Sequence, residues 1–210
     1  MRWKTAFRSM IAVMAIALLG SCASSPSNRA DTGPRVRGAL CEDPRLQGRP
    51  IEPLTGQWSA CTVRGAVMVT SAAGVRSNPP AKLNCAMARR VAGWLGNGVQ
   101  VAAQRGRGQR IVAVRSLGSY SCRRRNGLAT GRLSEHARAN ALDIAAFTFS
   151  DGLTVSVESG WRRPNEGRFL REVWRSACGP FGTVLGPDSD RFHYNHLHVD
   201  AARYPRPYCK

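Results

Sequence analysis

The chain has 210 residues, with 31 Lys or Arg against 13 Asp or Glu and a formal net charge of +18. Such a balance seeks anionic partners. No basic helix and no aromatic-studded strand stands out, which argues against nucleic acid as that partner.

From the N-terminus, Arg2, Lys4 and Arg8 precede an uncharged apolar run, Met10 to Leu19, followed by Gly20, Ser21 and Cys22. A basic region, an apolar region and a small-residue site form a secretory signal, too short to be a membrane span. Leu19-Gly20-Ser21-Cys22 resembles the bacterial lipobox, which implies lipidation of Cys22 and a protein anchored to a membrane of the bacterial envelope, in the periplasm. Residues 23–40, rich in Ser, Pro, Arg and Gly, have no apolar period and read as a flexible tether. Residues 41–210 are enough for one domain with its own core.

Six cysteines follow Cys22: Cys41, Cys61, Cys85, Cys122, Cys178 and Cys209. An even number without a Cys-x-x-Cys pair in an exported chain predicts three disulfides rather than a thiolate metal site. Six cysteines allow fifteen pairings. Chain order alone suggests Cys41 with Cys61, Cys85 with Cys122, and Cys178 with Cys209.

Arg64 to Thr70 reads as a strand through Val67, Met68 and Val69. Asn78-Pro79-Pro80 is expected to open a helix over Ala81 to Leu95, with Leu83, Met87, Val91, Trp94 and Leu95 on one face and Gly96-Asn97-Gly98 as its stop. Gln109 to Ser116 alternates as a strand, and so does Ala141 to Phe149, in which Asp143 points away from Leu142 and Ile144. Asp151-Gly152 turns the chain into Leu153 to Val157, predicting a hairpin. Phe169, Leu170, Val173, Trp174 and Ala177 predict a second helix closed by Gly179 and Pro180, and Asn195 to Asp200 a final strand. The expected fold class is α+β, a central antiparallel sheet flanked by helices and stapled by disulfides.

All four histidines lie in two segments, Ser134 to Asp143 and His193 to Asp200. Three imidazoles within six residues, beside a carboxylate-bearing partner segment, are best explained by a metal site, and a His/Asp/His set suits zinc. On a strand His196, His198 and Asp200 share one face while Leu197 and Val199 point into the core.

The run Ser134-Glu-His136-Ala-Arg-Ala139-Asn-Ala141-Leu-Asp143 resembles the Ser-x-His-x-x-Gly-x-Ala-x-Asp pattern of D-Ala-D-Ala zinc metallopeptidases and their hedgehog-like relatives. His196-Leu197-His198 resembles the His-x-His of the murein endopeptidase branch. More closely, Gly118 to Arg123, Arg132 to His136 and Val184 to Asp200 resemble the bacterial extensin-like C-terminal domain family. The resemblance implies that His136, Asp143 and His198 hold Zn2+, leaving the open fourth position of a catalytic site. It further implies that His196 serves in proton transfer, that Arg123 anchors substrate, and that the partner is peptidoglycan, whose peptide cross-links are hydrolysed. His193 is a candidate substrate contact. Two departures stand out: Ala139 replaces the pattern's Gly, and Asn195 stands where the carboxypeptidase branch has Glu. Ala139 is a small change for the backbone, whereas Asn195 leaves either His196 as the active group or a domain that binds zinc without cutting. Because ligation needs neutral histidines, metal affinity is expected to fall below about pH 6.

Overall fold

The computed structural model describes Met1 and residues 35–210. The signal segment, Cys22 and the tether up to residue 34 lie outside the described residues. No helix among the described residues is long and apolar enough to cross a membrane.

Among the described residues nine strands form one sheet: β1 (Leu46–Pro50), β2 (Val67–Ala72), β3 (Val75–Leu83), β4 (Ile111–Gly118), β5 (Ala141–Phe149), β6 (Thr154–Ser156), β7 (Thr183–Leu185), β8 (Leu197–Asp200) and β9 (Tyr208–Cys209). Their order is β1-β2-β3-β4-β5-β8-β7-β9, with β6 paired to β5. The expected antiparallel sheet is corrected to a mixed one, since β3 pairs parallel with β4 and β7 with β9. The physical reason is the helical segment between β3 and β4. Parallel neighbours need a crossover of a dozen or more residues, and this one consists of α1 (Cys85–Trp94), a π turn (Leu95–Val99) and α2 (Gln100–Arg107).

Two local expectations fail here. Asn78-Pro79-Pro80 opens no helix but lies inside β3. Val75 and Arg76 pair with β2, Arg76 to Asn78 with β4, and Ala81 to Leu83 with β2 again, so the two prolines fall between registered pairs and withhold no ladder donor. The helix starts at Cys85 instead, where the Asn84 side chain accepts the Met87 N–H at 2.8 Å. Nor do Gly96 and Gly98 stop it. Leu95 and Val99 are fully buried, and that burial carries the chain through the π turn. A Cβ on Gly98 would meet Ser176 Oγ at 2.6 Å, so this glycine serves the close approach of the crossover to α4 (Pro164–Ala177). Trp94 Nε1 donates to the same Ser176 Oγ at 2.9 Å.

Elsewhere the pattern holds in outline, but the last expected strand begins only at Leu197, so His196 precedes it in a loop and shares no strand face with His198, and the strand expected to run to Val157 ends at Ser156. β5 has the expected bounds and turns through Asp151-Gly152 into β6, with Phe147 opposite Val155. β6 leads into α3 (Val157–Gly160). Pro164 sits at the first position of α4, which buries Phe169, Leu170, Val173 and Ala177. Phe147 packs edge-on to Phe169 at 5.7 Å between ring centroids, and Trp94 edge-on to Phe181 at 5.6 Å.

Three disulfides are present, with one expected pairing right and two corrected. Cys178–Cys209 joins the end of α4 to β9. Cys41 pairs with Cys85, tying the N-terminal turn to the start of α1, and Cys61 pairs with Cys122 beyond the end of β4. Chain order failed because strands and the crossover intervene: Leu40 and Cys85 both pack against the core cluster, which sets Cys41 and Cys85 with Cα atoms 5.3 Å apart.

Candidate metal centre

Three adjacent strands and one turn build the site. Asp143 is the third residue of β5, and the ladder sets it directly opposite His198 of β8. On the other side it faces Gly118, the last residue of β4. A side chain there would crowd it, since a Cβ on Gly118 would lie 3.3 Å from Asp143 Oδ2. His136 comes from the 3₁₀ turn Glu135–Arg138, whose preceding Ser134 accepts the His136 N–H at 3.3 Å. Ala139 ends that turn with φ +49°, the left-handed conformation that the glycine of the resembling pattern adopts freely.

The donor atoms converge. His198 Nδ1 lies 2.8 Å from Asp143 Oδ1, His136 Nε2 lies 3.1 Å from Asp143 Oδ2, and the two ring nitrogens are 3.2 Å apart. All three side chains are buried. Each imidazole has an oxygen acceptor behind it: His136 Nδ1 is 2.9 Å from the Ser119 carbonyl, and His198 Nε2 is 3.2 Å from Asp200 Oδ2. With those remote nitrogens donating, the inward nitrogens present lone pairs, as metal-ligating histidines do.

Two lone pairs and a carboxylate facing one another at about 3 Å repel unless a cation lies among them. In the metal-free protein a proton takes that place. Burial opposes charge on His198, but Asp143 and Asp200 outweigh it and raise its pKa to about 9. Burial likewise opposes charge on Asp143, and hydrogen bonds from His136 and His198 override it, holding the carboxyl well below its usual range. A tetrahedral zinc with bonds of about 2.0–2.1 Å sets its donors roughly 3.3 Å apart. The triangle would need to open by only a few tenths of an ångström, so the donor set fits zinc.

The other two histidines join the same cluster. His193 packs against His196 and His198 with centroids 5.1 and 5.7 Å apart, and its Nδ1 lies 2.8 Å from Asp190 Oδ1. His196 presents Nε2 at 3.5 Å from Asp143 Oδ1, while its Nδ1 meets Asn195 Oδ1 at 2.8 Å. Asn195 therefore orients His196. Burial first, with the neighbouring histidines adding to it, lowers the His196 pKa to about 4 despite the attraction of Asp143, so this ring is neutral at ordinary pH. Glu135 is engaged elsewhere, accepting from Asn140 Nδ2 at 2.7 Å and Arg138 at 3.2 Å.

The cluster opens into a cleft of about 780 Å³ whose wall includes Arg123, Arg125, Phe192, Tyr204 and Arg206. Arg123 is half-buried there, with one long bond to the Arg124 carbonyl at 3.4 Å. Sequence reasoning missed the Ser119 carbonyl, which carries no residue signature, and Asp190. Asp200 was legible only as sharing a face with His198.

Sheet, staples and cluster together define a disulfide-bonded, mixed-sheet protein with a buried His/Asp/His centre at the base of a cleft. The chain belongs to the family described as extensin-like protein C-terminus, whose model matches residues 42–210. No curated protein and no solved structure matches it.

Proposed function

We propose that the chain is a zinc-dependent hydrolase of peptidoglycan peptide cross-links, of D,D-endopeptidase or carboxypeptidase type, at the bacterial cell envelope, with a fold related to the D-Ala-D-Ala and hedgehog-like zinc proteins. One observation carries the reading: two imidazoles and a carboxylate with mutually facing donor atoms, each imidazole backed by an oxygen acceptor, at the base of an open cleft. His136, Asp143 and His198 would hold the ion, and zinc when bound supplies a Lewis acid that polarises a peptide carbonyl and lowers the pKa of water.

The remaining chemistry falls to this chain's own side chains. His196 Nε2, neutral and aimed at the centre, accepts a proton or hydrogen-bonds the developing oxyanion, and Asn195 Oδ1 fixes its tautomer through Nδ1. His193, held by Asp190, supports the His196 ring from the side and lines the cleft. The Ser119 carbonyl and Asp200 keep the two ligand rings in the orientation that points lone pairs inward.

A second reading, a non-catalytic zinc-containing peptidoglycan-binding lipoprotein, is favoured by Asn195 standing where the carboxypeptidase branch has Glu. One experiment separates them. Zinc-loaded protein is incubated with cross-linked muropeptides, and metal content is measured beside it. New amines released by the parent and not by Asp143→Ala support the hydrolase. Full zinc occupancy with no amines released supports the binder.

A further inference from the structure

Two segments that contribute to the cleft are basic and free of acids. Residues 118–133 contain Arg123, Arg124, Arg125 and Arg132, and residues 201–210 contain Arg203, Arg206 and Lys210, with no Asp or Glu in either stretch. The fold brings the two segments together, for Arg125 Nη2 donates to Tyr204 Oη at 3.0 Å and residues of both line the cleft. Elsewhere several arginines sit beside acids, as Arg45 does with Asp43, Arg105 with Glu172, Arg107 with Asp151, Arg162 with Asp188 and Arg163 with Glu166. None of the seven cations in the two segments makes a salt bridge to a described residue; Arg123, Arg125 and Arg206 line the cleft, and Arg125, Arg132, Arg203, Arg206 and Lys210 are exposed. The cleft floor holds Glu135, Asp143, Asp190 and Asp200, two of which act on Arg125, but the two segments themselves carry seven cations and no carboxylate, and such a surface gains from an external anion.

The same mouth carries exposed rings, Phe192, Tyr204 and Tyr208, each more than a third accessible and each lining the cleft. Charge alone would not need them. They offer flat apolar faces to a ligand with apolar or ring-shaped parts between its charges. The cations spread over two segments rather than gathering at one point, which suits an extended chain better than a small anion.

We propose that segments 118–133 and 201–210 form a docking face for a multiply carboxylated glycopeptide polymer, so that the cleft is served by intact polymer rather than by released short peptides. The proposal rests on the reading of the centre as one acting on peptidoglycan, but its test needs no turnover. The full chain is sedimented with isolated peptidoglycan sacculi, and its binding to soluble poly-glutamate and to duplex DNA is measured at 20, 150 and 500 mM salt, roughly spanning the range over which screening becomes strong. Arg132→Glu/Arg203→Glu is compared with the parent; both residues are exposed, and an unchanged melting temperature verifies the fold. Expected are sacculus and poly-glutamate binding that weakens with salt and falls about tenfold or more in the double variant at 20 mM. Binding equal in parent and variant, no sacculus binding at 20 mM, or retention of DNA at 150 mM when sacculi are released would overturn it. Absence of amine release from muropeptides, with this binding intact, would count against the hydrolase alone.

Discussion

On the proposed zinc reading, metal binding at the centre would displace a proton, and that fixes its pH dependence. In the metal-free protein His198 donates toward Asp143 at 2.8 Å and Asp200 at 3.2 Å, which with burial working against them raises its pKa to about 9. A metal held by His198 Nδ1 would replace that proton. Apparent affinity would therefore rise up to about tenfold per pH unit below pH 9, so that zinc would bind roughly 50-fold more weakly at pH 7 than at pH 9, or about 2 kcal/mol. This moves the window well above the pH 6 expected for ordinary histidines. The linked effect on folding has a definite sign. Because the folded pKa lies above the unfolded value near 6.5, His198 stabilises the metal-free protein fully below about pH 6.5. That stability, on the order of 3 kcal/mol, is lost as pH rises through 9. Competition against a chromophoric chelator from pH 6.5 to 9.5 measures the affinity, and titration calorimetry in buffers of different ionisation heat counts the protons. Asp200→Asn removes one of the two carboxylates and should shift the break to lower pH. Zinc affinity that is flat from pH 7 to 9, with no proton released near pH 7.5, would refute the reasoning.

Three further outcomes are expected. His196→Ala should keep stoichiometric zinc by elemental analysis while losing roughly 10²- to 10⁴-fold in amine release from muropeptides; loss of the metal would make His196 a ligand instead. Phe147→Ala should cost about 3–5 kcal/mol in denaturant unfolding, since the ring is fully buried against Phe169. Asn84→Ala should cost about 0.5–2 kcal/mol by the same measurement, through the lost bond to the Met87 N–H.

Where the fold was legible, side-chain periodicity decided it. β5 was readable to the residue, because Ala141 to Phe149 is bounded by turn chemistry and Asp143 is the single charge within it. β3 was not. Pro79 and Pro80 read as a helix opening, and only the neighbouring strands show that the missing N–H groups fall between registered pairs. The π turn was hidden for a related reason, since Gly96 and Gly98 read as a stop while the burial of Leu95 and Val99 depends on partners distant in sequence. Disulfide partners are set by tertiary distance, which spacing does not encode. Within the site, the histidine segments announced themselves by composition, and the structure gathers all four rings. Their supports did not, because a backbone carbonyl such as that of Ser119 has no residue type and Asp190 lies outside the dense run.

The pairing of Asp143 with His198 across the β5–β8 ladder makes the spacing between two of the three donors a property of the sheet's hydrogen-bond lattice. Two of the three are thus held on one frame before any ion arrives, so loading would cost little chain ordering. Insertions in the long excursion between these strands can reshape what enters the cleft while leaving that distance untouched.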